Sequence, residues 1–159
     1  MLSSCSTLKE EVSPFEPFDD PAEGYCTASV NGKTFRAEEK GGLSIEPLFS
    51  ELVLFMSSRQ GDGFMITTTL EKVELNKPYD LSDERVGISI AYYPAKVNGG
   101  IAAQIASLEG FRSVDGSITF TSYRSDTGFE GTFEFTGKNS TIKDVYTVKN
   151  GKFLLKDED

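Results

Sequence analysis

Histidine and tryptophan are both missing from this chain of 159 residues, and cysteine occurs only twice. Without an imidazole, the Ser-His and Cys-His pairs in which a neighbouring base activates a nucleophile cannot form. Zinc sites that combine cysteine with histidine are excluded for the same reason. The turn Gly61-Asp62-Gly63 lacks the lysine that follows a phosphate-binding glycine loop. We therefore predict no catalytic residue, no metal site, no cofactor and no enzymatic activity.

Long apolar runs and basic clusters are also missing. No segment approaches the roughly 18 apolar residues needed to cross a bilayer as a helix, so membrane attachment has to be covalent or peripheral. A nucleic-acid partner normally requires a basic face that displaces counterions from phosphate, and we expect no such partner here. The net charge of −9 lies mostly near the ends, since residues 6–24 carry −5 and the last four residues carry −2.

Phenylalanine, tyrosine, glycine, serine and threonine are abundant, which favours strands and turns over a helical bundle. A chain of this length can bury a core within one domain. We predict that residues 1–24 form a flexible acidic tether and that residues 25–159 form a single β-domain. The predicted fold class is all-β, a single antiparallel meander of nine or ten strands that closes as a two-layer β-sandwich or a β-barrel. The patterning does not choose between these closures.

Turn-forming residues recur at short intervals after Tyr25, which is typical of hairpins rather than parallel βαβ units. The predicted turns include Asn31-Gly32, Asp115-Gly116, Asp126-Thr127-Gly128 and Asn150-Gly151. The clearest predicted hairpin is GSITFTSYRSDTGFEGTFEFTG, in which Phe129, Phe133 and Phe135 fall on one face. This period of two predicts a sheet with one face in water and one face in the core.

The segment GIAAQIASLEG at residues 100–110 does not fit the strand pattern clearly. Ile101, Ile105 and Leu108 recur at helical spacing, and alanine favours a helix. The segment nevertheless begins and ends with glycine. A short helix and a strand both remain open here.

Leu2-Ser3-Ser4-Cys5 looks like a bacterial lipobox, in which a leucine stands three residues before a cysteine that receives lipid. A secretory signal has a positive and an apolar region before this motif, so we expect the printed start to lie inside such a signal. Three prolines and many acids follow, which favours a flexible tether. The predicted lipidation site is Cys5, because acyl chains there would anchor the protein to the membrane without a protein span.

Lys9-Glu10-Glu11 lies close behind Cys5 and resembles the export signal of surface lipoproteins in gut-type Gram-negative anaerobes. This resemblance implies display on the outer face of the bacterial outer membrane. The alternative interpretation is an ordinary solvated run of charges. The second cysteine, Cys26, is predicted to be a small buried residue on a strand rather than a nucleophile.

The carboxy-terminal half resembles a family of small surface lipoproteins from the same bacterial group. The matching residues are Gly131-Thr132-Phe133-Glu134-Phe135-Thr136 and Asn150-Gly151-Lys152-Phe153, and ASVNGKTFRA at 28–37 is similar to the opening hairpin of that family. The resemblance implies a location and a fold. It implies no catalytic residue, because the family has no established activity.

Two groups of side chains are candidates for chemistry. Tyr92, Tyr93 and Tyr123 could serve as ligand-binding platforms, although tyrosines at strand ends also occur as half-buried packing residues. Asp80, Asp83 and Glu84 could gather oxygens around Ca²⁺, but they lack the spacing and the glycine of a calcium loop. We interpret them as a solvated turn in which Arg85 pairs with an acid.

These features favour a lipid-anchored, non-enzymatic β-module of the cell envelope that binds an unknown ligand or an envelope protein. A structural component of a surface complex is the first alternative. A carboxylate-dependent glycoside hydrolase is the second, because such enzymes require only two suitably spaced carboxyl groups.

Overall fold

The computed structural model describes residues 24–37, 43–48, 51–69, 73–95, 110–124 and 128–156. These ranges contain ten strands and a one-turn 3-10 helix, Glu84–Val86. The strands are β1 (Tyr25–Val30), β2 (Lys33–Ala37), β3 (Leu43–Leu48), β4 (Glu51–Ser57), β5 (Gly63–Thr68), β6 (Tyr79–Asp80), β7 (Ile88–Tyr93), β8 (Phe111–Arg124), β9 (Gly128–Lys138) and β10 (Val145–Leu155). The predicted segment 100–110 and the tether with Cys5, Lys9, Glu10 and Glu11 lie almost entirely outside the described residues.

The ten strands form one antiparallel sheet that is curled into a half-barrel, which confirms the all-β prediction. The strand order is β2-β1-β10-β9-β8-β7-β5-β4-β3, and the short β6 pairs with β8 beside this path. Most neighbours in the sheet are also neighbours in sequence. The pairs β5–β7 and β6–β8 each skip one strand, and the pairing of β1 with β10 joins the first and last strands of the described chain.

The two edge strands of the sheet, β2 and β3, are consecutive in the chain. Only five residues separate Ala37 from Leu43, so those two Cα atoms lie at most about 20 Å apart. A flat sheet of nine neighbouring strands would hold its edges about 38 Å apart at the usual strand spacing. The short connection therefore requires curvature, and β2 contacts β4 while β3 contacts β10 across the half-barrel.

The concave side of the sheet holds the core, as the alternation predicts. Phe129, Phe133 and Phe135 are all buried at 4% exposure or less. Phe64 on β5 lies at the centre, with no exposed surface and four aromatic neighbours. Cys26 on β1 is completely buried and unpaired, which confirms its predicted role as a small core residue.

Turn chemistry predicted some connections and misplaced others. Asn31-Gly32 joins β1 to β2 as a tight turn, with φ of 49° and 83°. The predicted turns at Asp115-Gly116 and Asn150-Gly151 are wrong, since both lie inside long strands. The strand register shifts next to each of them, between Ser113 and Asp115 and between Val148 and Gly151. A residue with positive φ fits a bulge as well as it fits a turn, so Asp115-Gly116 and Asn150-Gly151 lie at bulges instead of forming turns.

Among the described residues, no helix is long and apolar enough to cross a membrane.

Candidate ligand pocket at the mouth of the half-barrel

One end of the half-barrel carries a pocket of about 440 Å³, which we call the mouth pocket. The β1–β2 turn, the β4–β5 turn, the end of β7 and the start of β10 meet there, because antiparallel pairing places alternate strand ends at the same edge. Its polar and aromatic lining residues include Asn31, Lys33, Arg36, Asp62, Tyr92 and Tyr146. Open ends of curled sheets are common positions for small-molecule sites.

A hydrogen-bond network forms one wall of the mouth pocket. The buried hydroxyl of Tyr92 donates to Oδ2 of Asp62 at 2.9 Å, and the hydroxyl of Ser58 donates to Oδ1 of the same carboxylate. The Ser58 N–H donates to the Asp62 carbonyl at 2.8 Å, which closes the β4–β5 turn. Both carboxylate oxygens therefore have donors from the protein, and the turn is fixed to the strand that carries Tyr92.

Aromatic rings connect the mouth pocket to the core. The ring centroids of Phe35 and Phe64 lie 4.7 Å apart, and those of Phe64 and Tyr92 lie 5.2 Å apart. Tyr146 continues the series, at 4.9 Å from Tyr92 and 4.6 Å from Phe111. Rings at these separations stabilise one another beyond the area they bury. The wall of the pocket is therefore continuous with the packed core, and the half-buried ring of Tyr146 contributes to its lining.

Asn31 attaches the β1–β2 turn to β10 through both its side chain and its backbone. Oδ1 of Asn31 accepts from the Thr147 N–H at 2.7 Å, and Nδ2 donates to the Val145 carbonyl at 3.4 Å. The Asn31 N–H also donates to the Thr147 carbonyl at 2.9 Å. Asparagine tolerates the positive φ that this turn requires, so one residue both forms the turn and fixes it beside Tyr146.

Burial raises the pKa of Tyr92 well above its ordinary value near 10, and the charge of Asp62 and the hydrogen bond to it add to the shift. Burial also raises the pKa values of Tyr93, Tyr123 and Tyr146.

A raised pKa in the folded state contributes stability below the unfolded pKa, and this contribution is lost as the pH rises towards the folded value. Because the chain has no histidine, we expect a nearly constant free energy of unfolding between about pH 6 and pH 8. A decline should follow above about pH 9, because burial also raises the pKa of the Cys26 thiol, which ionises in the unfolded chain at a lower pH than the tyrosines do.

Replacing Tyr92 with phenylalanine tests this assignment. The variant loses a hydrogen bond to a charged acceptor, so we expect the free energy of unfolding at neutral pH to fall by about 1–2 kcal/mol. The alkaline decline should also become shallower, because one shifted group is gone. Urea unfolding at pH 8 and pH 11 measures both effects. Tyr123→Phe is the matched control, since its hydroxyl lies 3.2 Å from the neutral Thr68 hydroxyl and its loss should cost less. Equal alkaline slopes in Tyr92→Phe and the unmodified protein would contradict the assignment.

The structure does not bring the three predicted tyrosines together. Tyr92 and Tyr93 are adjacent on β7 and point to opposite faces of the sheet, and each is only 6% exposed. The Tyr93 ring lies against Gly110, where an added Cβ would come within 2.5 Å of it. Tyr123 lies beside Thr68, at the opposite end of β5 from the mouth pocket. Of the three, Tyr92 alone lines the mouth pocket.

Sequence reasoning did not identify Asp62, Lys33 or Tyr146 as site residues. In the sequence Asp62 is recognisable only as part of the turn Gly61-Asp62-Gly63, and Tyr146 has no local signal. Tyr146 reaches the pocket because β10 pairs with β1, a contact between the two ends of the domain that hydrophobic periodicity does not reveal.

The acidic group at Asp80, Asp83 and Glu84 forms a capped turn, as interpreted from the sequence. Oδ1 of Asp80 accepts from the Ser82 N–H at 2.9 Å and from its hydroxyl at 2.6 Å. Asp83 caps the 3-10 helix through the Arg85 N–H and pairs with the Arg85 guanidinium at 3.0 Å. These side-chain hydrogen bonds lower the pKa values of both aspartates. No group of three or more potential metal ligands occurs within the part of the chain that the structure describes.

Comparisons with models of protein families, with curated proteins and with solved structures match nothing to this chain.

Proposed function

We propose that this protein is a non-enzymatic β-module that binds a small ligand in its mouth pocket. The observation that carries the proposal is the prebuilt wall of this pocket, in which the Tyr92–Asp62–Ser58 network and the ring of Tyr146 are fixed to the core. A preformed concave site with a few placed polar groups is the usual form of a small-molecule site. Its volume of about 440 Å³ falls within the usual range for such sites, roughly 300–1,000 Å³.

The lining of the mouth pocket favours binding over hydrolysis. Among the described lining residues, Asp62 is the single carboxylate, and both of its oxygens already accept hydrogen bonds from the protein. A glycoside hydrolase needs two carboxyl groups about 5–9.5 Å apart, one of which donates a proton to the leaving group. An aspartate held by two hydroxyl donors fits the role of a positioning group for the turn.

A ligand screen by saturation-transfer NMR tests the proposal. We expect at least one class of small polar compound to bind the unmodified protein and to bind Tyr146→Leu at least tenfold more weakly, because leucine keeps the apolar packing but removes the flat ring. Tyr123→Leu is the matched control, a half-buried tyrosine at the other end of the half-barrel, and it should retain binding. Compounds that bind the unmodified protein and both variants equally would contradict a ligand site at the mouth, and so would a screen with no binding at millimolar concentration. The alternative function, a structural component of a surface complex, would then be favoured.

We also propose that the module is held at the bacterial outer membrane, facing outward, by lipid on Cys5. The support comes from the sequence alone: Leu2-Ser3-Ser4-Cys5 followed by a flexible acidic segment and by Lys9-Glu10-Glu11. Intact mass spectrometry of the protein from native membranes should find acyl chains on this cysteine. An unmodified cysteine in a cytosolic fraction would overturn the anchor, whereas the ligand site would stand.

A further inference from the structure

We infer that the mouth pocket takes a small organic anion, a planar or apolar body that carries a carboxylate or phosphate oxyanion, with Lys33 as the counter-charge. This inference rests on the proposed function. It starts from the polar groups of the pocket that the protein itself leaves unused.

The lining includes one cation, Lys33, that the described part of the protein does not use. Asp62 is the single carboxylate of the described lining, and the cations there are Lys33 and Arg36, of which Arg36 already interacts with another part of the protein. That carboxylate already receives the hydroxyls of Tyr92 and Ser58, which reduces its demand for a donor from a ligand. Lys33 is exposed and has no ion-pair or hydrogen-bond partner among the described residues. An ammonium group has three donors and no acceptor, so the group that best complements it is an oxyanion.

The rest of the pocket indicates a flat or apolar body for the ligand. Phe35 lies in the lining beside Lys33, and the Tyr146 ring adds an aromatic surface. Planar rings pack on such surfaces in offset or edge-on geometry. Besides burial, the negative charge of Asp144, which lies outside the described lining, raises the pKa of Tyr146. The same charge repels an anion beside Tyr146 and so favours the Lys33 side for the charged head group.

Chemical-shift titrations with a matched set of small probes test the inference. The set contains benzoate and phenyl phosphate as ring-bearing oxyanions, benzamide as the neutral analogue, benzylamine as the cationic analogue, and acetate as an oxyanion without a ring. We expect benzoate or phenyl phosphate to shift the mouth amides and to bind at least tenfold more tightly than benzamide, benzylamine or acetate. The affinity of the oxyanion should fall as salt is added, whereas that of benzamide should not.

Lys33→Met keeps the alkyl chain and removes the charge, so it should lower the affinity for the oxyanion to the level of benzamide. Lys152→Met is the matched control, because Lys152 is an exposed lysine of β10 outside the mouth pocket, and it should bind as the unmodified protein does. Both lysines are exposed, so neither change threatens the fold. If benzamide or benzylamine binds the mouth as tightly as the oxyanions do, or if Lys33→Met leaves oxyanion affinity unchanged, the anion inference is wrong and the ligand site stands. If no probe shifts the mouth amides, the anion inference is also wrong, and the separate screen with Tyr146→Leu decides the proposed function.

Discussion

Replacing Phe64 with alanine lowers the free energy of unfolding by about 3–5 kcal/mol, the cost of removing a fully buried aromatic ring and leaving a cavity. Phe64 has no exposed surface, and its ring contacts those of Phe35, Tyr92, Phe133 and Phe135. These neighbours lie on β2, β7 and β9, which are spread across the curled sheet, so they cannot all move inward to fill the space. A domain of this size typically has only about 5–15 kcal/mol of stability, so this one change removes a large part of it.

Urea unfolding of Phe64→Ala, followed by circular dichroism, measures the loss. Val114→Ala is the control, because Val114 is 45% exposed and its truncation should change the free energy of unfolding by no more than about 0.5 kcal/mol. A loss below about 1 kcal/mol for Phe64→Ala would mean that β2, β7 and β9 do not pack together around this ring. The curvature of the sheet, and with it the mouth pocket, would then be in doubt.

Gly116→Ala should cost about 3 kcal/mol more than Gly32→Ala, because an added Cβ has no space at Gly116. Such a Cβ would lie 2.2 Å from the Glu134 carbonyl oxygen and 2.5 Å from the Phe135 Cα atom, both in the backbone of β9. Backbone atoms of a paired strand cannot turn aside as a flexible side chain can. Gly116 has φ of 123°, and the bulge next to it depends on this close approach.

Gly32→Ala is the matched control for the glycine at β8. Gly32 also has a positive φ, 83°, but an added Cβ there would meet nothing within 4 Å. Its cost should be the conformational strain alone, about 1 kcal/mol. Thermal unfolding of the two variants separates strain from collision. Equal losses in the two variants would contradict the close approach of the β8 and β9 backbones at Gly116.

The sequence predicted the local features of this fold because they depend on local chemistry. Phe129, Phe133 and Phe135 alternate with polar residues, and an alternation of this kind places them on one face wherever the strand lies in the sheet. The identity of the fold class followed from such patterns. Asn31-Gly32 and Asn150-Gly151 mark the limit of what local sequence predicts. Both asparagines have positive φ, at 49° and 54°, yet the first forms a turn and the second a bulge. The pairing partner decides between the two, and a single strand does not carry that information.

The candidate site was harder to predict for the same reason. The sequence predicts Tyr92 as a site residue, but its partner Asp62 is 30 residues away, and Tyr146 reaches the pocket only through the pairing of β10 with β1. The same reasoning predicts Tyr93 and Tyr123, which lie elsewhere. Non-local strand pairing decides which face of the sheet and which end of the half-barrel a tyrosine occupies. Tyrosine content indicated that aromatic surface was present, and topology determined which ring lines a pocket.

The most direct test of the account is a map of backbone amide shifts for the ligand that binds most tightly in the screen. We predict that the largest changes cluster at Asn31, Gln60 and Asp62, in the two turns that border the mouth pocket, with smaller changes along the start of β10. Changes centred instead on Thr119 and Thr132, which line a separate pocket on the outer face of the sheet, would contradict a ligand site at the mouth.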